Sequence, residues 1–317
     1  MIDDLEIENI LELIDPAKIR VYQPTRIIFI CGGKTDATAT PPLSLRDAFM
    51  RVAYSSDFEK YQPMLAEELN AFFPKGDYKD FLSLESDIAQ ISTLVLLFSE
   101  SFGSAAELGA FAMVQEISHK LLVVMDDKRY GEDSFIKLGP IRAIENANGD
   151  SAICVVNRAD LGVADIADLK NLDTGFFSKL VKDAISQREK KIPEHSSFNA
   201  AYSGHMIKLI VGLIQWYGAL TLEEIETALY CLDASSKPER ISDYLLCAEF
   251  AKWIVPHKRG VQTFFVARPT ENVAVQFYPR PGKKMLTRMR WQAEIRTYWK
   301  DHDELRFRSI SDVMKGA

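Results

Sequence analysis

The sequence predicts an α/β protein with a doubly wound, mostly parallel sheet, followed by an α+β domain. Three observations support this: a length of 317 residues, strand-like apolar runs that alternate with helical patterns, and a change of pattern after about residue 200. Residues 203–317 hold 17 basic and 13 acidic residues, net +4, whereas the upstream part is net −11. The second domain is therefore expected either to meet an anionic partner or to dock on the first.

The first domain is predicted at residues 1–195. Its strand candidates are nearly continuous apolar runs of the kind found in buried parallel strands. They lie at 26–31, 71–73, 93–98, 121–125 and 152–156. Helical patterns are predicted for a leader that ends near Pro16 and for 43–55, 60–70, 80–91, 104–118 and 161–190. This alternation predicts a Rossmann-like sheet with helices on both faces.

The second domain is predicted at residues 203–317. Three helices are expected near 203–217, 221–231 and 238–251, followed by strands at 253–255 and 261–266 around a basic turn at 256–260. Helix, helix, helix and hairpin is the order of a winged helix, with the third helix as its recognition helix. The candidates for nucleic-acid contact are Arg240, Lys252, Lys258 and Arg259.

The C-terminal part of this domain is rich in both basic and aromatic residues. Between Lys252 and Arg308 there are 13 basic and 5 acidic residues, interleaved with aromatic side chains. Phosphates can pair with the charges and bases can stack on the rings, which favours nucleic acid. Two alternatives stay open: a winged helix that only joins proteins, and aromatic core residues beneath a solvated basic face.

Other classes of protein find no support in the sequence. The four cysteines are far apart and the five histidines fit no triad or metal-ligand spacing, so neither a metal site nor a disulfide framework is expected. The chain begins with an acidic segment and has no apolar run of about 18 residues. We therefore expect a cytoplasmic protein with no membrane association.

The segment from Thr93 to Phe111 carries the strongest functional signal, because a buried strand, a small-residue turn and a helix predicted to start at about Ser104 follow each other. Ligands of open α/β sheets bind beyond the carboxyl ends of strands, near helix N-termini. Glu107 would point a carboxylate at a sugar there. The alternative is a capping box formed by Ser104 and Glu107. Two features favour a ligand site: Gly109 would permit close packing of the helix, and the turn at 32–33 is expected at the same edge of the sheet.

The pattern from Gly103 to Gly109, Gly-Ser-Ala-Ala-Glu-Leu-Gly after an apolar strand, resembles an element of nucleoside 2-deoxyribosyltransferases. In those enzymes the glutamate attacks the anomeric carbon and displaces the base. A carboxylate in that role stabilises an oxocarbenium-like sugar. This chain departs from the transferase pattern around Thr93, where an acidic residue is often found, so the resemblance favours glycosidic cleavage over transfer between free nucleosides.

More of the chain resembles the retron-associated effectors, which join a nucleoside deoxyribosyltransferase-like domain to a winged-helix domain. The resemblance rests on segments 29–33, 81–85, 96–101, 103–109 and 134–142 in that order. It implies an anti-phage toxin that a reverse transcriptase and its RNA–DNA hybrid, the multicopy single-stranded DNA, hold in check. The implied reaction cleaves the N-glycosidic bond of NAD or a related nucleotide, which is substrate rather than cofactor; no cofactor is expected. Higher-order assembly stays open.

The same resemblance implies roles for individual residues. Glu107 becomes the catalytic nucleophile. The implied substrate-binding residues are Gly32, Gly33, Glu85, Ser101, Gly103, Ser104 and Arg142. Ordinary alternatives stay open for three of these places: a strand-ending turn at 32–33, an exposed helix carboxylate at Glu85 and a salt-bridge partner at Arg142.

Two other functions compete with glycosidic cleavage by an effector. One is a regulator whose α/β domain only senses a nucleotide while the winged helix binds DNA. The other is a phosphoribohydrolase of the cytokinin-activating type, which normally has two glycines just before its glutamate, where this chain has Ser101 to Ser104. The sequence does not decide between hydrolysis and transfer.

Overall fold

The computed structural model describes residues 10–53 and 58–316, which group into two compact units. Unit 1 contains the described residues of 10–25, 70–91 and 194–316. Unit 2 contains those of 26–69 and 92–193. The division into domains at residues 1–195 and 203–317 stays a prediction. Only part of the helical leader lies within the described residues, and Pro16–Lys18 form a 3₁₀ turn.

The strands are numbered in chain order. They are β1 (Arg20–Tyr22), β2 (Ile27–Cys31), β3 (Gln62–Leu65), β4 (Leu94–Phe98), β5 (Leu121–Asp126), β6 (Ile153–Val156), β7 (His195–Ser197), β8 (Ala219–Leu220), β9 (Ile254–Arg259), β10 (Gln262–Ala267) and β11 (Val275–Gln276).

The helices are numbered in the same way. They are α1 (Leu45–Ala53), α2 (Phe81–Ile91), α3 (Phe102–Met113), α4 (Gln115–Ser118), α5 (Asp127–Gly131), α6 (Arg142–Asn148), α7 (Thr174–Glu189), α8 (Ser203–Tyr217), α9 (Leu222–Cys231), α10 (Pro238–Phe250), α11 (Arg288–His302) and α12 (Glu304–Lys315). No helix in the described ranges is both long enough and apolar enough to cross a membrane.

Unit 2 is built on a five-stranded parallel sheet with the order β3-β2-β4-β5-β6. Every residue of β2, β4 and β5 is buried, as expected for strands covered on both faces. On one face, Ile28, Leu96 and Phe98 pack against residues of α1 and α7. Phe29 and Leu97, which alternate with them, are also buried. The α/β fold with a parallel sheet is therefore confirmed.

Two element predictions are wrong near the edge strand of unit 2, and the second of them falls in residues 71–73, which belong to unit 1. β3 lies within the stretch 60–70 that the pattern assigned to a helix, and the strand expected at 71–73 is absent, since 3₁₀ turns occupy Ala66–Ala71 and Phe73–Lys75. β3 contains Pro63, which an edge strand tolerates because only one side needs ladder hydrogen bonds. Because β3 contains a proline and mixes polar with apolar residues, it does not form the continuous apolar run that identified the other strands.

The long helix expected at 161–190 is also shorter in the structure. α7 begins only at Thr174, where the side chain of Asp173 accepts the Phe176 N–H at 2.9 Å. The preceding residues form turns, with Gly162 at φ +74°. Asp and Asn side chains that bond neighbouring backbone N–H groups compete with helix formation, which explains the late start.

Unit 1 contains two three-stranded sheets, β11-β1-β7 and β8-β10-β9. Its centre is α8, all of whose residues are buried. α9 and α10 follow, and then the β9–β10 hairpin. The basic turn expected at 256–260 is wrong in extent, because Arg259 pairs with Gln262 in the ladder and the chain reverses at Gly260 (φ +61°) and the residue after it.

Candidate functional site

The candidate site lies at the carboxyl ends of β2 and β4 in unit 2. From β2 the chain continues to β3 on one side, and it then crosses over to β4 on the other, so the strand order reverses between β2 and β4. Such switch points open a crevice in which α/β proteins bind ligands. Gly32 and Gly33 follow β2 directly, and Ser99 to Ser101 follow β4.

The helix that carries Glu107 is capped by two serines, Ser101 just before its first residue and Ser104 in its first turn. α3 begins at Phe102, two residues earlier than expected. The Ser101 hydroxyl accepts the Ser104 N–H at 3.1 Å, and the Ser104 hydroxyl accepts the Ser101 N–H at 2.9 Å. A capping box of Ser104 with Glu107 is therefore wrong, because Ser104 is itself the third helical residue. Glu107 has no part in the reciprocal cap that starts this helix.

Glu107 is half-buried, and its Oε2 is a buried oxygen without a hydrogen-bond partner among the described residues. Burial raises the pKa of this carboxyl; the positive charge of Arg46 lowers it and the negative charge of Glu67 raises it. A buried acceptor without a donor is unfavourable for folding. Contact of this side chain with a ligand stays a prediction.

Arg46, in the first turn of α1, brings a positive charge to Glu107. Its Nη1 donates to the Gly33 carbonyl at 3.3 Å, and its Nη2 pairs with the Glu67 carboxylate. Its Nε is buried and has no hydrogen-bond partner in the described part of the chain. Glu67 also accepts the Thr35 hydroxyl at 3.1 Å. Burial raises the pKa of Glu67, but the hydrogen bond from Arg46 and its other partners outweigh this and lower it.

Glu100 joins the two strand ends. Its carboxylate accepts N–H groups from Gly33 at 3.0 Å, Leu45 at 2.8 Å and Arg46 at 3.1 Å, so it caps α1 and fixes the turn after β2. Burial raises the pKa of Glu100, opposed by these three donors. Arg46, Glu67 and Glu100 were not predicted from the sequence. The available signal for Glu100 was a carboxylate two residues beyond a buried strand.

The glycines of the site differ in what surrounds them. A Cβ on Gly32 (φ +152°) would lie 2.8 Å from Cβ of Phe98, and one on Gly33 would lie 2.9 Å from Oε1 of Glu100. Packing therefore requires both. A Cβ on Gly103 would meet only Ser101 Oγ, at 3.9 Å, which leaves space over the turn. The expected close packing at Gly109 is wrong, since a Cβ there would meet no atom of the described residues within 4 Å.

The other predicted substrate contacts lie in different places. Ser101 and Gly103 are exposed, whereas Ser104 is buried with its hydroxyl engaged in the cap. Glu85 lies on α2 in unit 1 and is buried, so its interpretation as an exposed carboxylate is wrong. Arg142 is exposed at the start of α6, and its charge helps to lower the pKa of a glutamate one turn later. Their contact with substrate stays a prediction.

The four candidates for nucleic-acid contact lie in unit 1 and divide into two pairs. Arg240 pairs with Asp87 at 2.7 Å and lies over the ring of Tyr244 at 4.5 Å, and Arg259 pairs with an aspartate of α12. Lys252 and Lys258 are exposed. The lysines are thus available to a partner in a way that the arginines are not.

The sheet order and the position of Glu107 define an α/β protein of Rossmann-like type, in which one carboxylate oxygen near the switch point of the sheet has no hydrogen-bond partner among the described residues. The chain belongs to the family described as STM3845 retron effector protein, whose model matches residues 42–256, more than half of the chain.

Two Escherichia coli proteins are similar to part of the chain. The "Retron Ec73 putative ribosyltransferase/DNA-binding protein" is 29% identical over 151 residues, which cover 46% of this chain and 47% of that protein. The "Retron Ec86 putative ribosyltransferase/DNA-binding protein" is 33% identical over 127 residues, 40% of this chain and 39% of that protein. The matched regions span less than half the length of these relatives.

Proposed function

We propose that the chain is a retron effector whose unit 2 cleaves the N-glycosidic bond of NAD or a related nucleotide, with Glu107 as the catalytic carboxylate. The observation that carries this proposal is the Glu107 carboxylate itself. It lies by the switch point of a parallel sheet, it is not part of the helix cap, and its Oε2 has no hydrogen-bond partner among the described residues. The family of the chain and the ribosyltransferase names of its relatives agree with glycosyl chemistry.

The proposed reaction begins with loss of the base from the anomeric carbon of the ribose. The electron pair of the C–N bond leaves with the base, while ionised Glu107 bonds to that carbon or stabilises its positive charge. Water then attacks the same carbon, any bond between Glu107 and that carbon breaks and restores the carboxylate, and the attacking water gives up a proton. NAD and water thus yield nicotinamide, ADP-ribose and a proton. A different acceptor in place of water would make the same step a transfer.

The residues around Glu107 have distinct parts in this proposal. Arg46 favours the ionised form of Glu107, in which it can attack. The exposed turn from Ser101 to Gly103, at the N-terminus of α3, offers space and positive dipole to a phosphate or ribose hydroxyl. Gly32 and Gly33 allow α1 and Glu100 to approach the same edge.

We further propose that a reverse transcriptase and its RNA–DNA hybrid hold the effector in check through a winged helix at 203–267. The order of α8, β8, α9, α10 and the β9–β10 hairpin, with β8 paired to β10, supports this assignment. Because Arg240 and Arg259 are paired within unit 1, Lys252 and Lys258 are the better candidates for phosphate contact.

The second candidate function is a nucleotide-sensing regulator without catalysis. The DNA-binding part of both relatives' names and the exposed lysines favour it. In that function Glu107 would bind a ribose hydroxyl rather than attack a carbon. Nucleotide binding without release of base would distinguish the regulator from the enzyme.

The experiment incubates the purified chain with NAD, nucleotides and deoxynucleosides, alone and with the reverse transcriptase complex, and follows free base by chromatography. Glu107→Gln is compared with Glu132→Gln, which makes the same change at an exposed carboxylate of unit 2. We expect release of nicotinamide or another base by the wild type and by Glu132→Gln, and a loss of at least about 100-fold in Glu107→Gln. Equal release by both variants would contradict the proposal.

A further inference from the structure

Unit 1 contains a cavity of about 300 Å³ between the C-terminal end of α8 and one face of α11. α11 contributes Arg288, Gln292 and Arg296, which are spaced four residues apart and therefore lie on the same face. Arg268, from the segment after β10, supplies a third guanidinium group. None of the described residues that line the cavity carries a carboxylate. The lining is therefore positively charged.

These three arginines are not engaged in ion pairs within the described ranges, unlike their neighbour Arg290, which pairs with Glu294 at 2.9 Å. Arg288 is exposed as a whole residue, but partial burial of its guanidinium lowers its pKa, and no neighbouring acid offsets this effect. Grouped cations that lack acidic partners repel one another, and an anion between them relieves this repulsion.

The C-terminal end of α8, whose carbonyl groups would otherwise repel an anion, is hydrogen-bonded by side chains of α11. The last three carbonyl groups of α8 each accept a side-chain N–H. The Gln215 carbonyl accepts from Gln292 at 3.1 Å, the Trp216 carbonyl from Trp291 at 2.8 Å, and the Tyr217 carbonyl from Trp299 at 2.8 Å. These carbonyls are left without partners in an isolated helix and carry its negative partial charge. The positive charge of the arginines is therefore the dominant one in the cavity.

The remaining lining is apolar and aromatic. Ile295, Trp299, Ile310 and Met314 contribute to it, and so does Trp216. Trp216 is nine-tenths buried, and its indole Nε1 has no acceptor among the described residues. A buried donor of this kind is costly unless a ligand supplies an acceptor. Arginine side chains next to apolar side chains, together with an indole N–H that lacks an acceptor among the described residues, favour a ligand with an anionic group and a flat, weakly polar body.

We propose that this cavity binds a phosphorylated ligand with one small, flat organic group, namely a nucleoside monophosphate, either free or at the phosphorylated end of a nucleic-acid strand. Arg268, Arg288 and Arg296 bind the phosphate, and the base lies against the apolar side chains. A volume of about 300 Å³ is at the lower end for ligand pockets, which suits one nucleotide rather than a dinucleotide. The site consists of unit 1 residues and does not depend on the chemistry at Glu107.

The test measures binding by calorimetry to the full chain carrying Glu107→Gln, so that hydrolysis cannot confuse the result. The probes are AMP, inorganic phosphate, and single-stranded oligodeoxynucleotides with and without a 5′ phosphate. Arg288→Gln and Arg296→Gln are compared with Arg290→Gln, a control on the same helix whose side chain does not line the cavity. All three arginines are exposed, and thermal melting checks that each variant folds.

We expect AMP or the phosphorylated strand to bind, and Arg288→Gln and Arg296→Gln each to weaken binding at least about 10-fold while Arg290→Gln does not. Tighter binding of the phosphorylated strand than of AMP identifies the strand end as the source, and the reverse identifies the free nucleotide. Equal affinity in all three variants, or phosphate binding as tightly as AMP, would overturn the proposal. If the cavity binds the nucleotide as expected but the wild type releases no base, only the proposed function of Glu107 is refuted.

Discussion

At the scale of single residues, the ionisation of Glu107 depends on its burial and on two neighbouring charges. Burial disfavours its ionised form, Arg46 favours that form and Glu67 opposes it. Arg46 is also hydrogen-bonded to Glu67, so the two carboxylates compete for one guanidinium group. The sequence could identify Glu107 from its place after a buried strand. It could not identify Arg46 or Glu67, because their proximity arises from α1 and a 3₁₀ turn far away in the chain.

The pH dependence of base release tests this competition. Glu67→Gln removes a charge that raises the pKa of Glu107 and also frees Arg46, so the acidic limb of kcat/KM should move to lower pH. Arg46→Gln removes the stabilising cation, so the same limb should move to higher pH. The measurement is the pH profile for each variant. Shifts in the same direction, or no shift, would show that Glu107 titrates independently of this pair.

At the scale of elements, the apolar pattern predicted the buried strands well and their surroundings less well. β2, β4, β5 and β6 were found within one residue of their expected bounds because each is a short continuous apolar run. β3 was missed because it contains Pro63 and tolerates it as an edge strand. The start of α3 was misplaced because the sequence offers two serine caps, and only packing decides that Ser101 is the one used.

The two kinds of glycine at the site lead to a prediction at this scale. Gly32→Ala should cost about 1 to 3 kcal/mol, because its φ is unfavourable for alanine and its Cβ would overlap that of Phe98. Gly103→Ala should leave stability unchanged or slightly raised, since a Cβ there has space in a helix. Thermal or denaturant unfolding compares the two.

The Gly103→Ala variant also tests ligand binding. If the turn at 101–103 admits phosphate or ribose, Gly103→Ala should raise KM for base release without reducing stability. An unchanged KM in Gly103→Ala would remove this turn from the substrate site.

At the scale of the whole molecule, the two units contain separate candidate sites, but the charge asymmetry seen in the sequence does not follow their boundary. Unit 1 holds 21 basic and 24 acidic residues, and unit 2 holds 17 basic and 21 acidic residues. Unit 2 holds the carboxylate site, and unit 1 holds the basic segments and the arginine-lined cavity. Counting charges predicted a basic C-terminal part but could not tell which cations are paired. Arg240 and Arg259 are paired inside unit 1, whereas Lys252 and Lys258 are exposed.

Charge reversal at the exposed lysines tests the proposed nucleic-acid contact. Lys252→Glu and Lys258→Glu should each weaken binding to an RNA–DNA hybrid. Neutralisation of either lysine should reduce the slope of log binding constant against log salt concentration by about 1 in magnitude. Melting temperatures should not change, because both side chains are exposed. Lys191→Glu, at an exposed position of unit 2, serves as the control. Equal binding by all three variants would assign the contact elsewhere.

The most direct test of the central claim measures base release and thermal stability together for Glu107→Gln. Because burial raises the pKa of Glu107, its ionised form is destabilising above the folded-state pKa, and the neutral amide removes that cost. We predict that the variant loses base release and melts about 1 to 3 °C higher at neutral pH, with the difference vanishing below the ordinary glutamate pKa. Retained base release together with a lower melting temperature would contradict the account and make Glu107 a structural residue.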